Sequence, residues 1–286
     1  MADAVDEYRS ARTGSEGWIV DRFICPSGRL EELLGVLVPT MTSGEEPWRL
    51  SVTASPGWIE DLTSDAGAIR TFIEATASAA SVELVELRVP PVVAAEPQLL
   101  GVDAARFLQA YPAIVFFELP WDTDPKEAMD ALAATRSESG RSLGVKLRCG
   151  GLSPEVFPSP EEAARFITAA AARTLPMKAT AGLHHPVRHL DPATGFHHHG
   201  FMNVLAANAL AHGGEPEASI AAVLAEEEAT AFVLDRSGLS WRGHRVGASE
   251  LEETRRSAFM AYGSCSFLEP VADLTASGVL PLEVAS

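Results

Sequence analysis

The sequence predicts an α/β protein folded as a (β/α)8 barrel of the TIM type, with a long loop-helix excursion after strand six. Three observations carry that expectation. Short β-type runs alternate with helical ones; eight such units fit into residues 17–286, the count and size of a barrel; and neither GxGxxG nor GxxxxGKS/T occurs, which disfavours an open doubly wound sheet with its phosphate loop.

Taken in order, the opening MADAVDEYRSARTGSEG is polar and acidic with no apolar run, so residues 1–16 are expected to be a flexible tail and not a secretory signal. Residues 17–286 are expected to be a single domain. Strands are expected at Trp18–Cys25, Arg49–Ser55, Val82–Val89, Ala113–Leu119, Gly144–Cys149 and Met177–Ala181. Helices are expected between them, on Leu30–Val38, Asp65–Ala80, Asp103–Ala110 and Pro125–Arg136, and from Ser159, where Ser-Pro-Glu-Glu supplies an N-cap, Pro at N1 and acids in the first turn. After Ala181 the pattern loosens into a long loop and two helices, Met202–Ala211 and Ala218–Ala229. Strands seven and eight are expected at Ala231–Asp235 and Tyr262–Phe267, with a last helix near Val271–Ser277.

Composition narrows the function classes. The chain is 47% hydrophobic and 21% charged with a net charge of −17, a field that repels nucleic acid and anionic lipid. Pro192 to Gly214 carries no formal charge, but its four His and two Asn are unsuited to a membrane-spanning helix. The three cysteines, Cys25, Cys149 and Cys265, lack CxxC spacing and read as small buried hydrophobes in a reducing, cytoplasmic setting. No GxSxG elbow points to a serine hydrolase. The expected partner is a small anionic molecule, with no nucleic acid or membrane and with a homo-oligomer open.

Strand alternation gives the candidate site. In VELVELRV one face carries Val85, Leu87 and Val89, so Glu86 and Arg88 share the other. By the same rule Glu118, then Lys146 and Arg148, then Lys178 and Thr180 point away from the apolar face of their strands. Charges in a packed interior cost several kcal/mol unless paired, so this set implies a network near the strand ends, where barrel enzymes keep their sites. Glu86–Arg88 and Glu118–Lys146 also read as structural ion pairs. The four cations against two carboxylates favour an anionic substrate, with Arg88, Arg148, Glu86 and Thr180 as binding residues.

Lys146 and Lys178 fall at matching depth on adjacent strands, where each disfavours the other's protonation; a lysine deprotonated this way forms Schiff bases. The two segments, GVKLRCGG and MKATAG, resemble in swapped order the lysine-bearing strand motifs of class I deoxyribose-phosphate-type aldolases, roughly V-K-A-S-G-G and K-T-S-T-G. That resemblance implies that Lys178 is the nucleophile and Lys146 the residue that tunes it. The chain as a whole resembles a bacterial (β/α)8-barrel-like family, which implies the fold and no particular chemistry.

Six of eight histidines lie between His184 and His199. His184 and His185 follow strand six directly and are candidates for acid–base work beside Lys178 and Glu118. Adjacent histidines on an extended segment would point to opposite sides. His197, His198 and His199 precede a helix and suggest an anion site. Ser264 and Ser266 offer hydroxyls near the same mouth. The leading expectation is therefore a lyase or aldolase-type enzyme, a carbon–carbon lyase or isomerase, needing no cofactor. One alternative is a metal-dependent barrel hydrolase, lyase or isomerase, with His184, His189 and Glu118 holding Zn, Mn or Fe. Another is a non-catalytic binding or scaffold barrel.

Overall fold

The computed structural model describes residues 1–277 apart from Glu16, Ser43, Leu152, Cys265 and Phe267. Helices and parallel strands alternate, as the α/β pattern requires. The chain divides into two compact units where one domain was expected: Met1–Leu119 with Ala131–Gly144, and Pro120–Asp130 with Val145 onward.

The first unit runs α1 (Ala2–Thr13), β1 (Phe23–Pro26), α2 (Leu30–Thr40), β2 (Trp48–Thr53), α3 (Leu62–Thr76), β3 (Ala80–Arg88), α4 (Pro91–Ala94), α5 (Pro97–Ala110) and β4 (Ile114–Glu118). Its strands pair in parallel in the order β1-β2-β3-β4. One face of the pleat carries Val52, Val85, Leu87, Val115 and Phe117, all buried, and Phe117 packs edge-on against Phe107 of α5 at 6.3 Å. Residues 1–16 do not form the expected tail. Ala2–Thr13 is helical because Val5, Tyr8 and Ala11 recur every third residue on one side. Val5 and Ala11 are buried, and the Tyr8 ring lies 5.2 Å from Phe23 and 4.8 Å from Trp48.

α6 (Lys126–Ser139) and β5 (Leu143–Arg148) follow in sequence. In the second unit come α7 (Pro160–Ala172), β6 (Met177–Thr180), a two-residue ladder of β7 (His189–Leu190) with β8 (His197–His198), α8 (Phe201–His212) and α9 (Glu217–Ala225). The start of α7 is a capping box: Glu162 N donates to Ser159 Oγ at 3.2 Å, and Ser159 N donates to Glu162 Oε2 at 2.7 Å. The unit continues with β9 (Phe232–Asp235), β10 (Gly238–Trp241), β11 (His244–Gly247), α10 (Ala248–Glu253), a π-helical turn over Thr254–Ala258, β12 (Phe259–Gly263) and α11 (Leu268–Ala276). β5, β6 and β12 pair in parallel in that order.

The expected seventh strand is a correction. Phe232–Asp235 belongs to a separate antiparallel sheet in the order β11-β10-β9. Turn chemistry decides this. The Asp235 carboxylate accepts from Ser237 N at 2.7 Å, closing the first hairpin across two residues. Arg242 and Gly243 both have positive φ, 41° and 90°, the arrangement of a two-residue I′-type hairpin. Seven parallel strands are therefore present among the described residues, with β12 standing where strand eight was expected. The excursion after strand six exists, and it contains this sheet as well as helices. No helix among the described residues is long and apolar enough to cross a membrane.

Candidate active site

In the first unit, the face of the sheet opposite the helices carries buried polar groups. Glu86 is 3% exposed and accepts from Ser51 Oγ at 2.5 Å, and Glu118 is also buried. Arg88 is the register partner of Glu118, yet it is exposed. As the last residue of β3, immediately before Val89-Pro90, it sits at the strand end, where its guanidinium reaches water without a desolvation cost.

The second unit holds the lysines. Lys146 and Lys178 are direct register partners on β5 and β6, which places their Cα atoms about 4.8 Å apart, and both are buried. One layer toward the C-terminal ends, Arg148 is the partner of Thr180. On the other side of β6, Ala261 pairs with Lys178 and Gly263 with Thr180, so β12 presents only a methyl group and a hydrogen at these levels. The opposite face is closed by apolar side chains: Val145, Leu147, Met177 and Ala179 are buried, and Tyr262 stacks on Phe201 of α8 at 5.1 Å.

The glycine turns after these strands have a packing reason. A Cβ on Gly150 would lie 3.1 Å from the Gly182 Cα and 2.8 Å from the Phe157 ring, so the two turns close on each other only without side chains. Ala181 and Gly182 both have positive φ, 66° and 72°; an alanine held there stores backbone strain next to the strand that carries Lys178. Arg148 Nε donates to Gly150 O at 2.9 Å, which ties the guanidinium to the same turn.

That left-handed turn redirects the chain, so residues 183–188 are not an extended strand. His184 and His185 therefore do not split to opposite sides as expected; both meet α11. His184 Nδ1 lies 2.7 Å from Glu269 Oε2, and His185 Nδ1 lies 2.5 Å from Asp273 Oδ2. A carboxylate at Nδ1 fixes that nitrogen as the protonated one and puts the basic lone pair on Nε2. Ser264 Oγ is 3.5 Å from His184 Nδ1 and donates to Ser266 O at 2.6 Å. Glu269 and Asp273 escaped the sequence reading. Their signal is the i, i+4 spacing, which puts both on one face of a helix.

The other four histidines of the 184–199 run make contacts of their own. His189 packs edge-on against His185 at 4.4 Å and lies 5.7 Å from His198. His197 Nε2 lies 3.1 Å from Glu227, and His198 is 3.6 Å from Asp191. His199 is 1% exposed and donates from Nε2 to Pro158 O at 2.6 Å; burial pushes its pKa down to about 4. In the His197–His199 run the last ring is turned inward and the first two residues form β8. Among the described residues no group of three His, Cys, Asp or Glu side chains is placed to hold a metal ion. Cys25 and Cys149 are buried, burial pushing the Cys25 thiol up to about 11; Cys265 lies outside the described residues. Comparison with protein-family models, curated proteins and solved structures finds no match for this chain.

Proposed function

We propose that the protein is a lyase or aldolase-type enzyme that acts on a small anionic carbonyl compound through Lys178. The observation that carries this reading is the register pairing of two buried lysines, Lys146 and Lys178, one layer below Arg148 and Thr180. A like charge on the neighbouring strand favours a neutral amine on one of them, and a neutral amine is the nucleophile. The run of parallel strands and helices supports reading the scaffold as of (β/α)8 type, in which the strand C-terminal ends carry the chemistry.

In this account the Lys178 amine attacks the substrate carbonyl carbon and water leaves, giving an iminium. A histidine Nε2 takes the proton of the substrate β-hydroxyl. The carbon–carbon bond breaks with its electron pair moving to the iminium nitrogen, so an aldehyde departs and an enamine remains. Protonation of the enamine carbon and hydrolysis restore the free amine. His184 and His185, each oriented by a carboxylate, supply the base and acid, and Arg148 holds the substrate anion.

The same intermediate exchanges the α-protons of a bound ketone with solvent. Exchange of pyruvate methyl protons in D2O, followed by NMR, tests it. Wild-type protein is expected to catalyse exchange, Lys178→Met to abolish it, and Arg148→Met to raise KM about tenfold or more. Exchange that survives in Lys178→Met, or no exchange above background with either pyruvate or 2-oxobutanoate, contradicts the reading.

A further inference from the structure

We infer that the groove between α3, the end of α5 and the segment before β5 is a binding site for a small organic anion with an apolar body. The groove has a volume of about 720 Å³, within the range of small-molecule sites. It shares no residue with the lysine site, and it lies at the N-terminal ends of β4 and β5, since Tyr111 and Arg141 immediately precede those strands.

Its chemistry is set by one face of α3. Leu62, Ala66, Arg70 and Ile73 fall at i, i+4, i+8 and i+11 and all line the groove, giving three apolar contacts and one guanidinium. Arg141 supplies a second guanidinium, held in place by donating from Nη2 to Tyr111 O at 2.8 Å. Against these two cations the lining contributes a single carboxylate, Glu74. In a protein of net charge −17 a locally cationic, partly apolar groove runs against the bulk field and matches a planar anion that accepts from guanidinium.

Tyr111 also lines the groove and is 1% exposed, its hydroxyl enclosed by protein and out of a ligand's reach.

The test is a titration of the full-length protein with 8-anilinonaphthalene-1-sulfonate, an aromatic body carrying one anion, followed by fluorescence. One saturable equivalent is expected, displaced by octanoate and not by octanol. Arg70→Ala and Arg141→Ala each weaken it about fivefold or more, and Ala66→Phe, which fills the groove, removes it. Arg70 is exposed on α3, so its replacement does not put folding at stake. Non-saturable binding, equal competition by octanol and octanoate, or unchanged affinity in Arg70→Ala overturns the site.

Discussion

At the residue scale, His199 is the buried group whose titration is most visible in stability. Desolvation lowers its pKa from 6.5 to about 4, with the bond to the Pro158 carbonyl opposing only part of that shift. The folded protein refuses a proton that the unfolded chain accepts below pH 6.5. Stability is therefore whole above that pH and falls as pH drops toward 4, by about 3 kcal/mol across the window. Urea unfolding at pH 7 and pH 4 checks this: His199→Gln is expected to lose about 3 kcal/mol less than wild type on acidification, and an identical loss in both would show that His199 is not the sensor. The lysines were legible at this scale because strand alternation assigns a face without knowledge of the fold: Val145 and Leu147 on one side oblige Lys146 and Arg148 to the other. The carboxylates that orient His184 and His185 were not legible, since Glu269 and Asp273 lie more than 80 residues away in sequence and nothing local announces the pairing.

At the element scale, the β9–β11 sheet hangs on Glu226. Its buried carboxylate accepts from Trp241 Nε1 at 3.0 Å and from the Arg242 guanidinium, and its Oε1 caps Glu228 N at 3.0 Å. Arg242 is the main reason its pKa falls to about 2. Glu226→Ala leaves the buried Trp241 indole without its acceptor, a loss of about 2 kcal/mol. Hydrogen exchange should show it as faster opening of the β10–β11 hairpin with β5 and β6 unchanged; uniform protection throughout would place the carboxylate outside that unit's stability. Strands with strong alternation, such as VELVELRV, were readable from sequence. Phe232–Asp235 was misread because a short apolar run does not state its direction, and the hairpin turns at Arg236-Ser237 and Arg242-Gly243 decided it. The α1 helix was missed because its apolar residues are few and small, three of the five being alanine; tertiary contacts of Tyr8 to Phe23 and Trp48 stabilise it.

At the scale of the whole molecule, the α/β class follows from the order of elements alone, whereas the division into two units depends on which segments pack together and leaves no mark in composition. The acidic balance has a direct consequence: with a sequence pI near 4.8, self-repulsion vanishes as pH approaches that value, and turbidity should pass through a maximum there. A protein that stays clear through pH 4.8 at high concentration would mean that the surface resists association without net charge. The central claim concerns covalent chemistry, and reductive trapping tests it most directly. Protein incubated with pyruvate or glyceraldehyde 3-phosphate is treated with sodium borohydride, digested and mapped by mass spectrometry. A single secondary-amine adduct on Lys178, absent without the carbonyl compound, is the result predicted here. An adduct on the exposed Lys126, or a Lys178 that stays unmodified while Lys126 or Lys146 reacts, would contradict it.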